Sequence, residues 1–242
     1  MGTYVLVHGG FHDGNTWERV IARLEQHGHT ALAPTLAGRG KGADPTVGLG
    51  QCTQSLADYI VERDVTDVIL VGHSLGGAVI CKVAEAIPER IGRLVFYAAV
   101  VPHDGESIYD GYPPIYRLAL NQWFAESFDG TITLPFEVWR NGFIPEADLE
   151  VAQWAYQQLW PEPCRTVLDR VDLTKFHTLR TPRTFLVGTD DCTMPGGWHP
   201  QMTSRVGPFR LLETPGGHEL MFTNPDLLAD KLIEAARDES LP

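Results

Sequence analysis

The stretch Val68-Ile69-Leu70-Val71-Gly72-His73-Ser74-Leu75-Gly76-Gly77-Ala78 constrains this chain more than any other. β-branched and aliphatic residues run into Gly-x-Ser-x-Gly, and helix-forming residues from Ala78 to Ala86 follow at once. Strand, sharp turn and helix in that order make a nucleophile elbow, in which the serine, here Ser74, sits at the tip of a strained turn with its hydroxyl exposed. Gly72 and Gly76 are required because a Cβ at either place would strike the neighbouring strand or helix as the chain doubles back.

The rest of the chain supplies a frame for that elbow. Thr3 to Val7 reads as a first strand, ending at the glycine loop His8-Gly9-Gly10-Phe11. Asn15 stands three residues ahead of Glu18, a capping-box spacing for a helix from about Thr16 to Gln26. Thr30 to Ala33 is a second strand, Pro34 to Gly50 a loop on its proline and glycine content, and Thr53 to Arg63 a helix with Leu56, Tyr59 and Ile60 on one face. Further strands are expected at Arg93 to Ala98, Thr184 to Val187 and Phe209 to Leu212, and a closing helix at Pro225 to Ala236.

Near-continuous apolar strands alternating with helices predict an α/β fold, a doubly wound, mostly parallel sheet of about six strands covered on both faces. Residues 1–102 and 180–242 make the core. Residues 103–179 break the pattern: four of the six tryptophans (Trp123, Trp139, Trp154, Trp160) fall there, with short helical periodicity such as Ala147 to Leu159. They predict a small helical cap inserted after the fourth strand.

Acidic residues outnumber basic ones by 31 to 19, a net charge of −12, which argues against nucleic acid or an anionic membrane as partner. The N-terminus has no basic region followed by a cleavable apolar segment, and no stretch approaches the roughly 18 apolar residues that span a bilayer. Cys52, Cys81, Cys164 and Cys192 show no metal or disulfide spacing and read as reduced thiols. A cytoplasmic protein, monomer or homodimer, is the expectation.

A serine hydroxyl attacks only if a base removes its proton and an acid holds that base in one tautomer. Pro215-Gly216-Gly217-His218 follows the last strand through a glycine loop, which makes His218 the candidate base among nine histidines. Strand Thr184 to Val187 runs into Gly188-Thr189-Asp190-Asp191, and either aspartate could turn toward His218. An oxyanion needs backbone N–H donors. Leu75, after the nucleophile, offers one, and the loop after the first strand offers the other.

These residues resemble the α/β-hydrolase superfamily over essentially the whole chain, and in particular the branch of plant methyl esterases, hydroxynitrile lyases and bacterial esterases. The family pattern His-Gly-small-x-His-Gly-x-x-x-Trp is approximated by His8, Gly9, Gly10, His12 and Trp17, with Asp13 where glycine is usual. Gln158-Leu159-Trp160-Pro161-Glu162-Pro163 looks like the family's cap exit. Family members carry an Asp followed three or four residues on by Pro; Asp191 with Pro195 fits that register, so the resemblance selects Asp191 over Asp190. It also implies Gly10 and Leu75 as the oxyanion donors.

What the resemblance implies is a carboxylic ester or lactone hydrolase acting on a small to medium apolar or aromatic molecule through Ser74, His218 and Asp191, with no cofactor and no metal. Phe11, Trp123 and Trp139 are candidate pocket rings, although the same rings equally suit a cap core. Relatives of this kind also cleave thioesters and carbon–carbon bonds or close rings in secondary metabolism, and a non-catalytic small-molecule receptor is a further alternative. The similar lyases place a threonine after the first-loop histidine and a lysine after the catalytic one. Here Gly9 and Glu219 stand there, and a negative Glu219 is expected to oppose cyanide chemistry.

Overall fold

The computed structural model describes residues 1–193 and 198–237. The first unit is strand β1 (Thr3–Val7), a 3-10 turn at Gly14–Trp17, helix α1 (Glu18–Gln26) and strand β2 (Thr30–Leu32). Asp13, not the expected Asn15, caps the turn: its carboxylate accepts the Asn15 N–H at 2.9 Å. Helix α2 (Leu49–Glu62) begins inside the expected loop, where Gln51 Oε1 accepts the N–H of the capping residue Gly48 at 2.8 Å and satisfies a donor at the helix start. Strand β3 (Val68–His73), helix α3 (Gly76–Ala86) and strand β4 (Ile91–Tyr97) follow.

Between β4 and the next strand of the main sheet the chain forms α4 (Ile108–Gly111), α5 (Pro114–Glu126), strand β5 (Thr131–Ile132), α6 (Phe136–Val138) running into a π-helical turn at Trp139–Phe143, α7 (Leu149–Tyr156), strand β6 (Glu162–Pro163) and α8 (Cys164–Leu168). β5 and β6 pair antiparallel, Ile132 facing Glu162. The main sheet resumes with β7 (Arg183–Gly188), followed by α9 (Trp198–Ser204), β8 (Arg210–Thr214), α10 (Leu220–Thr223) and α11 (Pro225–Ala235). No helix among the described residues is long and apolar enough to cross a membrane.

All six main strands run parallel in the order β2-β1-β3-β4-β7-β8. Alternation along β1 sends Val5 and Val7 into an apolar cluster with residues of α2 and α3, and Tyr4 and Leu6 into a second cluster with residues of α1 and α11. Both sheet faces are therefore buried, which is why the strands read as unbroken apolar runs rather than alternating ones. From β1 the chain moves outward to β2, and from β3 it moves the other way to β4. The crevice between the carboxyl ends of β1 and β3 is thus the topological switch point, where a parallel sheet leaves room for a ligand.

Candidate active site

Ser74 leaves β3 at φ 50°, in the left-handed region that a non-glycine residue occupies at a cost of about 1–3 kcal/mol. The surroundings hold it there. Its N–H donates to Tyr97 O at 3.2 Å, and its carbonyl accepts N–H groups from Gly77 (2.9 Å) and Val100 (2.8 Å). A Cβ on Gly72 would lie 2.8 Å from Gly76 O, and one on Gly76 would lie 2.8 Å from His8 O, so both glycines are sterically required. Among the described residues the Leu75 N–H, at the positive end of α3, donates to no acceptor.

Two loops at the same sheet edge bring the histidine and the carboxylate together. His218 Nδ1 lies 2.8 Å from Asp191 Oδ2, and because an ionised carboxylate only accepts, this bond puts the ring proton on Nδ1. Asp191 Oδ1 accepts both the N–H (2.9 Å) and the hydroxyl (2.6 Å) of Thr193, and His199 Nε2 approaches Oδ2 at 3.5 Å. Burial works against the Asp191 charge, but His218, followed by the hydrogen bonds from His199, His218 and Thr193, outweighs it and holds the carboxyl far below its usual range. Burial also pushes the His218 pKa down, yet the Asp191 charge and hydrogen bond lift it above 6.5. Asp190 is exposed and does something else: its Oδ2 accepts the Gly216 N–H at 2.8 Å and ties down the glycine loop that carries His218.

His218 and Ser74 border one small cavity. No hydrogen bond joins them; His218 Nε2 is buried and has no partner among the described residues. Catalytic hydrogen bonds in ligand-free enzymes are often long and tighten only around substrate.

A second layer fixes this histidine from below. His73 Nε2 donates to His218 O at 3.1 Å, and the Tyr97 hydroxyl lies 3.0 Å from the carbonyls of both Gly217 and His218. Burial, reinforced by His218, drives the His73 pKa down to about 3, so this ring stays neutral. Glu219 is fully buried and pairs with the buried His12 at 3.4 Å. Its side chain lines neither of the two described cavities that Ser74 borders. Its charge reaches the site through the histidines, helping, against burial, to lift the His218 and His12 pKa values. His73, His218 and Glu219 bring possible metal donors within 4.8 Å of one another; Glu219 pairs there with His12, and one nitrogen of each of the two histidines is hydrogen-bonded.

The loop after β1 lies against the elbow. A Cβ on Gly9 would stand 2.9 Å from Ser74 Cβ, and Phe11 takes φ 65°. Among the described residues the Gly10 N–H donates to no acceptor. Gly10, Ser74 and Leu75 line a cavity of about 210 Å³ whose wall is mostly apolar and includes Phe11 and Trp123. Trp139 does not line it. That ring is fully buried, donates its indole N–H to Ala152 O at 2.9 Å and packs near His12, Phe143 and Phe222, so the pocket expectation for Trp139 is corrected to a core role. Pro195, used in the register argument for Asp191, lies outside the described residues.

Thr193, Arg39 and Glu162 escaped the residue-by-residue reading. Glu162 lay inside the segment matched to the family's cap exit, which was the one signal for it.

The family model described as Alpha/beta hydrolase family matches residues 4–231. The chain is similar to an extracellular alpha/beta-hydrolase from a Paenibacillus species, described as sharing structural and functional homology with tobacco Salicylic Acid Binding Protein 2. Identity is 38% and the TM-score 0.95, covering 98% of this chain and 100% of that one. It is 28% identical over 240 residues to the carbendazim hydrolyzing esterase of Nocardioides sp. (strain SG-4G), covering 96% of this chain and 98% of that protein. Methylesterase 3 of Arabidopsis thaliana is 25% identical over 252 residues, covering 96% and 95%.

Proposed function

The chain belongs to the alpha/beta hydrolase family, and from that premise we propose that it hydrolyses carboxylic esters of small to medium apolar or aromatic acids through Ser74, His218 and Asp191. The observation that carries this reading is the 2.8 Å bond from His218 to Asp191, which leaves a buried, unpartnered Nε2 beside the cavity that Ser74 borders.

His218 Nε2 takes the proton of Ser74 as Oγ adds to the ester carbonyl, and the carbonyl oxygen, now negative, is met by the N–H groups of Gly10 and Leu75. Collapse expels the alkoxide, which leaves as an alcohol with the proton from His218. A water then gives a proton to His218 and its oxygen to the acyl group; a second collapse frees the acid and restores Ser74. Asp191 stays ionised throughout and stabilises the imidazolium. The apolar wall, with Phe11 and Trp123, suits an uncharged hydrocarbon or aromatic acyl group, and the relatives named for methyl ester and carbendazim cleavage support a small leaving alcohol. Residues 103–179 act as the cap over this pocket. The four free thiols suit a reducing, cytoplasmic setting.

The test is a panel of p-nitrophenyl esters, methyl esters, lactones and thioesters on the purified protein, with organophosphonate labelling read by mass spectrometry. Ester turnover and labelling at Ser74 are expected, and Ser74→Ala should lower turnover by on the order of 10⁶-fold, as where a triad acts as a unit. A variant that kept most of the activity would exclude this assignment.

A further inference from the structure

The two peptide groups that flank Phe11, in the loop after β1, are held at three of their four polar atoms. The Gly10 carbonyl lies 2.6 Å from His12 Nδ1, the Phe11 N–H donates to Glu162 Oε2 at 2.8 Å, and the Phe11 carbonyl accepts the Trp160 N–H at 2.7 Å. Trp160 also reaches back through its indole N–H to Asp13 Oδ2 at 2.8 Å. The Gly10 N–H, the proposed oxyanion donor, belongs to the preceding Gly9–Gly10 peptide, whose carbonyl lies 2.9 Å from His8 Nδ1, and it has no acceptor among the described residues. Phe11 would not hold φ 65° unaided, since a side chain in the left-handed region meets the following carbonyl; the pins supply what the local sequence does not.

The carboxylate in this arrangement is an odd choice unless its charge is answered. Glu162 is buried and lines the same cavity as Gly10, Ser74 and Leu75, where a bare negative group would oppose the oxyanion as it forms. The Arg39 guanidinium and the Thr166 hydroxyl both bond Glu162 Oε1, and the Arg39 side chain is itself fully buried. An ion pair taken out of water holds its position only with good geometry and satisfied partners, and here both carboxylate oxygens are occupied.

We propose that Glu162, neutralised by Arg39, is a positioning residue that clamps the Gly10–Phe11 peptide so that the Gly10 N–H faces the developing oxyanion. This rests on the hydrolase reading above. The clamp belongs to the Trp160–Thr166 segment, 151 positions from Phe11 in sequence, so the stretch that closes the cap also sets the oxyanion donor. A buried carboxylate is a stronger acceptor for a backbone N–H than a neutral group, and it fixes the peptide plane more firmly than water would.

Three variants test it, each normalised to active sites titrated with a phosphonate. Glu162→Ala should lower kcat by about 10²-fold, the scale of a lost oxyanion donor, with KM changed by less than about threefold. Glu162→Gln, which still offers an oxygen to the Phe11 N–H, should recover most of that loss. Arg39→Met combined with Glu162→Leu removes both charges together, which avoids stranding one of them, and should stay folded while kcat remains low because the Phe11 N–H is unheld. Affinity for a boronic acid, which copies the tetrahedral adduct, should fall in step with kcat/KM across the series. A purely structural role would instead lower Tm or the titrated fraction and leave kcat per site within about threefold of wild type, the spread of a neutral change, and that result overturns the clamp. The unaltered chain separates the two readings: no ester turnover and no Ser74 labelling would overturn the hydrolase assignment and the clamp with it. Normal turnover with variants that match it would overturn the clamp alone.

Discussion

Protonation of one imidazole links activity and stability in opposite directions at the residue scale. His218 accepts a proton from Ser74 only when neutral, and its folded pKa is raised above 6.5 by Asp191 against the pull of burial. On the proposed mechanism, kcat/KM should therefore fall on the acid side with an apparent pKa above 6.5, and Asp191→Asn should move that limb downward because burial then loses its largest opponent. A folded pKa above the unfolded one means that the charged histidine contributes stability fully below pH 6.5 and loses it as pH rises through the folded value. His12, raised by Glu219 against its own burial, adds in the same direction. Activity should thus climb while Tm declines across neutral pH, measured by initial rates and thermal melts in the same buffers. An acid limb below 6.5 in the wild type would remove Asp191 as the controlling partner. Ser74 and His218 each follow a strand within a few residues, so the local pattern gives their address, whereas between Asp190 and Asp191 the residues leave the choice open and only the resemblance makes it. Arg39 and Glu162 were not legible, since their roles exist only where distant segments meet, and nothing near Glu162 in sequence marks Phe11 as its partner. Trp139 was misplaced for a related reason: an indole shows the same sequence character whether it lines a pocket or fills a core.

Close approach of backbone to backbone dominates at the element scale. β3 and α3 meet so tightly that a Gly72 Cβ would lie 2.8 Å from Gly76 O and 2.9 Å from Ile80 Cδ1. Gly72→Ala should therefore push the first turn of α3 away from the strand and carry Leu75 and Ser74 with it. Overpacking of this kind costs about 1–3 kcal/mol. With roughly 2–4 °C per kcal/mol in a domain of this size, calorimetry should record a Tm lowered by several degrees. Turnover should fall much more than the folded fraction, and equal losses would mean that the strand gives way instead of the elbow. Long buried strands and periodic helices were readable because burial on both faces leaves an unbroken apolar run. β5 and β6, of two residues each, leave no period to read, and α2 starts early, where Gln51 makes a side-chain bond that composition does not announce.

Charge distribution makes the last demand, at the scale of the whole molecule. The chain carries −12, its cavity wall is mostly apolar, and the proposed reaction turns a neutral ester into an anionic acid inside that cavity. Glu162 is answered locally by Arg39, while Asp191 beside a neutral His218 keeps its charge, so the product feels that carboxylate together with the net field of the surface. An acidic protein repels its carboxylate product and leaves its uncharged substrate alone, which favours release over rebinding. Screening should weaken that repulsion: between about 0.01 M and 0.15 M salt the Debye length falls from ~30 Å to ~8 Å. Product inhibition by the free acid should accordingly tighten by about two- to threefold over that range, while KM for the neutral methyl ester stays level. Initial rates with added acid at the two salt concentrations measure both quantities. If inhibition and KM move together, salt acts on the apolar pocket and not through the field. If the acid binds tightly at both concentrations, the cavity is built to retain an anion, and a receptor for an aromatic acid becomes the better account of the same architecture.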